Sequence, residues 1–219
     1  MKYSSTRTLK TIQKILDEDQ FDDSSQNISA YGGVSGENIL LDDFKRYSEM
    51  GDTLDVGCGS GDLFRKLPIT HAIEPSIKRF EAIKKTKVHI NQAFAECLPY
   101  TEDIFRNVIC WGTVCFLRSP MEAFIEINRV MLMKGVFFFD MVIKSTMPIV
   151  QTVDRSSFCK HITLYGFEIL KQEVFGEEHH KRLALVVRKI ENFKPENFRM
   201  PQCCGLINNY LEARDWYLK

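Results

Sequence analysis

The sequence predicts an α/β fold: a mainly parallel sheet that finishes in an antiparallel hairpin, with helices on both faces. Three observations predict it. Short apolar, β-branched runs alternate with segments of helical period between residues 50 and 145, the rhythm of parallel βαβ units. LDVGCGSGDLF, residues 54 to 64, sets three glycines into five positions between a strand and a helix. Past residue 150, FEILKQEVF and KRLALVVRKI are joined only by GEEHH, a connection that reaches nothing but an antiparallel neighbour.

Each element follows from its own pattern. Leu9, Ile12, Ile15 and Leu16 recur at helical spacing in TRTLKTIQKILDEDQF, which reads as an amphipathic helix. DDSSQNISAYGGVSGEN is a loop by its Ser, Asn and Gly content, and ENILLDDFKRYSE a helix. DTLDVG is the first strand, DLFRKL a short helix and THAIEP the second strand. SIKRFEAIKKT is a helix with Ser76 at its N-cap. KVHINQAFAECLPY holds the third strand and its loop, and RNVICWG the fourth strand. SPMEAFIEINRVMLMK is a helix capped by Ser119, with Pro120 in its first turn. GVFFFDMV is a buried strand, and SSFCKHITLYGF a helix that Gly166 ends. The last 30 residues begin irregularly and finish in a helix carrying Leu206, Tyr210, Leu211 and Trp216.

Composition bounds the function. A chain of 219 residues, 44% hydrophobic and 26% charged, buries the core of one globular domain. Lys plus Arg and Asp plus Glu number 29 each, so no net field draws nucleic acid or anionic lipid. Nucleic acid is therefore not the expected partner. MKYSSTRTLK lacks the apolar core of a secretory signal, and no apolar run is long enough for a membrane span, so a cytoplasmic protein is expected. The seven cysteines, at 58, 97, 110, 115, 159, 203 and 204, contain no C-x-x-C pair. They read as reduced, buried thiols with no metal site, the adjacent Cys203 and Cys204 leaving a weak metal or redox alternative.

A glycine-rich turn from strand to helix lets backbone N–H groups approach a ligand at the carboxyl ends of the strands. The dinucleotide fingerprint fails here, because Asp62 stands where its third glycine would be and would face a pyrophosphate. The P-loop fails too, since no Lys-Ser or Lys-Thr follows. Asp55 points instead to a ligand with a positive group.

Asp55-Val56-Gly57-Cys58-Gly59-Ser60-Gly61 resembles the glycine motif of class I S-adenosylmethionine-dependent methyltransferases, small single-domain enzymes of the type 11 kind in particular. Glu74 closes the second strand 13 residues after Gly61, where that family places an acid for the ribose hydroxyls. AFAECLPY is similar to the family's A-E-x-L-P-[FY] loop, and the run from Phe105 to Phe139 to its fourth strand, helix and fifth strand. The resemblance covers about residues 50 to 145 and implies a Rossmann-like, seven-stranded sheet. It departs in the short interval from Gly61 to Glu74 and in Lys134-Gly135, which replaces the usual glycine pair after the fourth helix.

The resemblance implies S-adenosylmethionine as cofactor, S-adenosylhomocysteine as product, and a cofactor site made of Asp55, Gly57, Cys58, Gly59, Gly61, Glu74, Pro75, Ser76, Ala95, Glu96, Cys97, Trp111 and Gly112, with Tyr31 reaching the cofactor carboxylate. Ala95, Glu96 and Cys97 would lie beside the adenine. Each residue has a plainer reading: Glu74 a solvated strand end, Glu96 an exposed acid, Trp111 core, Asp140 a turn or capping residue rather than a base, His161 structural. No catalytic residue is assigned, because in-line displacement needs alignment more than a triad.

The expected organisation is an N-terminal helical and lid segment over 1–48, a methyltransferase domain over 49–190 and a C-terminal tail over 191–219 that offers a partner or dimer contact. Tyr31 to Asn38 and Ile143 to Phe158 are the expected lid. The expected reaction is methyl transfer to a small-molecule acceptor. The alternatives are an RNA or protein methyltransferase, or a methyltransferase-like binding or assembly protein without activity.

Overall fold

The computed structural model describes residues 33–117, 119–145, 152 and 154–194. Tyr31, the helix expected around Leu9 to Leu16, and the tail with Cys203, Cys204 and Trp216 lie outside them. Helix α1 (Gly33–Tyr47) leads to strands β1 (Thr53–Val56) and β2 (His71–Ile73), helix α2 (Ile77–Ile83), β3 (His89–Asn91) and β4 (Phe105–Cys110). Helix α3 (Pro120–Val130), β5 (Met131–Ser145), α4 (Arg155–His161), β6 (Phe167–Glu177) and β7 (His180–Lys189) complete the order.

The seven strands form one sheet in the order β3-β2-β1-β4-β5-β7-β6. β1 pairs parallel with β2 and β4, and β4 parallel with β5, while β7 runs antiparallel to both β5 and β6. Connections leave β1 on both sides, so the switch point falls between β1 and β4, where α/β sheets bind ligands.

The run Phe137-Phe138-Phe139 shows why the sheet needs two covers. Phe137 and Phe139 lie on one face, their rings 4.5 Å apart, and pack with Phe124 of α3. Phe138 points to the other face, 5.2 Å from Phe44 of α1. Both faces are thus buried against helices, and a continuous apolar run replaces the alternation of a half-exposed strand.

Caps fall where their chemistry puts them. Ser76 Oγ accepts the Arg79 N–H at 3.4 Å and Ser119 Oγ the Glu122 N–H at 3.3 Å. Gly166, at φ 82°, ends the turn after α4. DLFRKL forms a single 3-10 turn, Asp62–Arg65, which is how the short interval before Glu74 is bridged.

Several boundaries differ from expectation. α1 begins at Gly33, inside the segment read as loop. α3 stops at Val130, and Met131 already pairs with Phe105. Residues 132–135 form an excursion before pairing resumes at Asn107 and Val136; Lys134 takes φ 67° there, and a Cβ on Gly135 would lie 2.9 Å from the Arg106 carbonyl. The excursion replaces the glycine pair. β5 also continues through Ile143 to Ser145, paired with β7, so those residues are strand, while Arg155 to Phe158 open α4. The β5-β7-β6 end therefore stands beyond the last β4 pair, Cys110 with Phe139.

Candidate functional site

The loops after β1, β2, β3 and β4 gather at the carboxyl ends of the strands. Gly57, Gly59 and Gly61 all have positive φ, 76°, 57° and 77°. Their missing side chains serve different ends. A Cβ on Gly57 would lie 2.5 Å from Thr113, and one on Gly61 would lie 2.7 Å from the Phe64 ring, whereas one on Gly59 would meet nothing nearer than Arg79 at 4.0 Å. Only Gly59 faces open space.

The turn's N–H groups are mostly used inside the protein, contrary to the expectation that they face a ligand. Those of Gly57 and Cys58 donate to the Ile73 carbonyl, each at 3.0 Å, and that of Gly61 to the Cys58 carbonyl at 2.9 Å. The Gly59 N–H donates to Glu74 Oε2 at 2.8 Å. A turn arranged this way suits a ligand without phosphate, which needs few amide donors.

Glu74 is 4% exposed, so it is no solvated strand end. Its other oxygen, Oε1, accepts the Ser76 N–H at 2.9 Å. Each oxygen thus holds one backbone donor and keeps a further lone pair for a hydroxyl. Burial raises its pKa, against the pull of the Ser76 and Gly59 N–H groups and of Arg79. Asp55 is 2% exposed, and its Oδ2 is buried without a hydrogen-bond partner. Burial, then the Glu74 charge, pushes its pKa up to about 7. Two buried acids and an orphaned carboxylate oxygen fit a cofactor that carries cationic ammonium and sulfonium groups.

The remaining candidates come in around this pair. Gln92 Nε2 donates to the Pro75 carbonyl at 3.2 Å, which ties the β3 loop to Glu74. In that loop Ala95 is buried and Glu96 Oε1 accepts the Ser119 N–H at 3.1 Å, so Glu96 is a structural acceptor and not a free acid. Thr113 Oγ1 donates to the Gly57 carbonyl at 3.2 Å and joins the β4 loop to the glycine turn. Cys58 lies in the turn with its pKa raised far by burial, so its thiol stays protonated.

At the end of β4 the Trp111 ring stacks on Phe175 of β6, 6.0 Å apart and 11° from parallel, and its Nε1 is buried without a partner. Gly112 donates its N–H to Asp140 Oδ1 at 2.6 Å, and Asp140 Oδ2 pairs with Nε of Arg182. Asp140 is therefore an acceptor fixed on both oxygens. Burial pushes the Cys115 thiol up to about 11, partly offset by Arg182 beside it. Among the described residues no group of His, Cys, Asp and Glu is disposed to hold a metal. His161 is the last residue of α4.

Thr113, Arg182, Glu126 and Arg129 were not singled out from the sequence. Arg182 had a signal: Asp140 interrupts an apolar strand, and a buried carboxylate requires a cationic or hydrogen-bonding partner.

Residues 54–139 match the family model of the methyltransferase domain. The chain carries an S-adenosylmethionine-dependent methyltransferase domain. No curated protein sequence matches the chain. Among solved structures, the domain is similar to a possible histamine N-methyltransferase of Thermotoga maritima, at 18% identity and TM-score 0.58, over 75% of this chain and 91% of that one. It is also similar to the 1,6-didemethyltoxoflavin-N1-methyltransferase of Burkholderia thailandensis, solved with 1,6-didemethyltoxoflavin and S-adenosylhomocysteine, at 12% identity and TM-score 0.60, over 85% and 88%. The 4+2 cyclase SpnF aligns at 17% identity and TM-score 0.61, over 71% and 82%. At these identities the likeness establishes the fold: class I, Rossmann-like. The cofactor of this methyltransferase domain is S-adenosylmethionine. No described helix is long and apolar enough to cross a membrane.

Proposed function

We propose that the methyltransferase domain, residues 49–190, transfers a methyl group to a small-molecule acceptor, with 1–48 covering the site and 191–219 available to a partner. In this reading Asp55, Gly57, Cys58, Gly59, Gly61, Glu74, Pro75, Ser76, Ala95, Glu96, Cys97, Trp111 and Gly112 hold the cofactor, joined by Tyr31. Bound S-adenosylmethionine supplies an electrophilic methyl on sulfonium and leaves as S-adenosylhomocysteine. The chain's own part is to bind and orient. Glu74 accepts from the ribose hydroxyls, Asp55 faces positive charge, and Gly59 admits the ligand close to the backbone.

One observation carries the acceptor class. Past β4, Trp111 stacks on Phe175, and Arg182 of β7 is 1% exposed and already paired with Asp140. An acceptor wall of that kind suits a compact, partly aromatic or apolar molecule and offers little to a phosphate backbone. The overall charge balance agrees with this reading, in which the protein acts in the cytoplasm. The test is methyl transfer from labelled S-adenosylmethionine into cell extract split into a low-mass filtrate and a macromolecular fraction. Label in the filtrate supports the proposal, and label on RNA or protein overturns it. Cofactor binding without transfer to either fraction would leave the binding or assembly reading.

A further inference from the structure

Helix α3 grips the loop after β3 with charge as well as with apolar packing. Glu126 is completely buried and Arg129 mostly so, at 12% exposed, one turn apart on α3. The guanidinium pairs with both carboxylate oxygens, Nε to Oε1 at 2.6 Å and Nη2 to Oε2 at 2.7 Å. What remains of the two groups reaches the loop. Glu126 Oε2 accepts the Leu98 N–H at 2.8 Å, Arg129 Nη2 donates to the Leu98 carbonyl at 3.1 Å, and Nη1 donates to the Tyr100 carbonyl at 2.8 Å. The same helix holds the loop's other side, where the Ser119 N–H donates to Glu96.

Ala95, Glu96 and Cys97 are thus suspended between two anchors on one rigid element. A buried ion pair is a costly way to fasten a loop, since apolar residues would fill the same volume at equal or lower free energy. What the pair adds is direction: a bidentate fork fixes Leu98 through both its N–H and its carbonyl. We infer that Glu126 and Arg129 are positioning residues, holding Ala95–Cys97 where the adenine of the cofactor must fit. The inference rests on the proposed placement of adenine beside that loop.

The test separates the two halves of the ligand by isothermal titration with S-adenosylhomocysteine and with adenosine. Glu126→Gln, and the neutral pair Glu126→Gln with Arg129→Met in case the lone change fails to fold, are measured well below their melting temperatures. Both ligands should weaken by the same factor, about tenfold, because the loop meets only the half they share. Arg129→Lys, which keeps the charge but not the fork, should lose less affinity than these variants, but equally for both ligands.

Asn128→Ala is the control. Its amide donates to the Tyr165 and Glu191 carbonyls, so it should lower the melting temperature while leaving both affinities unchanged. Unchanged affinities in the Glu126 and Arg129 variants, a loss confined to S-adenosylhomocysteine, or an equal loss in Asn128→Ala would each overturn the inference. Failure of the wild-type chain to bind adenosine while binding S-adenosylhomocysteine would instead remove the adenine placement, and the inference with it.

Discussion

Asp140 and Arg182 face one another across β5 and β7, both fully buried, and the carboxylate oxygen not engaged by the guanidinium accepts the Gly112 N–H at 2.6 Å. Three strands' ends are thereby locked into one arrangement at the mouth of the site. Asp140→Ala strips the guanidinium of its counter-charge in a place water does not reach. Loss of one partner from such a pair costs about 3–5 kcal/mol, and the Asp140→Asn, Arg182→Met pair should regain most of it. Urea unfolding of the three proteins checks both numbers. A cost below about 1 kcal/mol for Asp140→Ala would show that the pair holds nothing.

Gly57 and Gly59 should separate stability from binding. Gly57→Ala forces a methyl against Thr113 at 2.5 Å and breaks the contact between the glycine turn and the β4 loop, so the free protein should lose about 2–4 kcal/mol. Gly59→Ala meets open space and bears only the strain of φ 57°, about 1 kcal/mol. In the proposed site its methyl takes space that the cofactor would fill. Thermal unfolding with and without S-adenosylhomocysteine should show a large drop in melting temperature for the first, and for the second a small drop with loss of the ligand-induced rise.

Much of this was legible in the sequence, and the rest was hidden for physical reasons. Ser76, Ser119 and Gly166 act locally, through one hydrogen bond or one backbone angle, and local chemistry is what a sequence displays. The Phe137-Phe138-Phe139 run announced a strand buried on both sides, and GEEHH an antiparallel hairpin. By contrast, the limits of α3 and β5 depend on Met131 finding Phe105, a pairing between distant segments. Arg182, Glu126 and Arg129 stayed unseen because a charged residue reads as surface unless its buried partner is known. The fate of the glycine turn's N–H groups was hidden likewise: it depends on Ile73 and Glu74, which only the folded sheet brings beside the turn.

Two buried thiols, Cys110 and Cys115, and the partly buried Cys58 give a simple check on the packing around the site. Burial raises the pKa values of Cys58, Cys110 and Cys115, the last to about 11, so little thiolate exists at pH 8. Alkylation of the native protein by iodoacetamide at pH 8, read by peptide mass, should leave these three unmodified long after the chain's unfolded form has reacted fully. Rapid labelling of Cys115 would mean that Arg182 depresses its pKa more than burial raises it.

Asp55 makes the site sensitive to pH, and the sign follows from its burial. Its carboxyl titrates at about 7 in the folded protein against 3.8 for an unperturbed carboxyl, so the folded state holds a proton that the unfolded state releases. Stability from this group is therefore full below about pH 4 and declines as pH rises to about 7, with a ceiling of about 4 kcal/mol; above pH 7 the contribution is constant. Asp55→Asn removes that dependence, and the difference between wild-type and variant urea midpoints at pH 5 and pH 8 measures it. Cofactor binding should run the other way. Ionised Asp55 attracts the ligand's positive charge, so S-adenosylmethionine affinity should climb from pH 5.5 to a plateau above pH 7.5, and binding near pH 6.5 should release a proton. Titration calorimetry in buffers of different ionisation enthalpy counts that proton directly. Affinity independent of pH in the wild type, or an equal climb in Asp55→Asn, would assign the positive end of the cofactor to some other group.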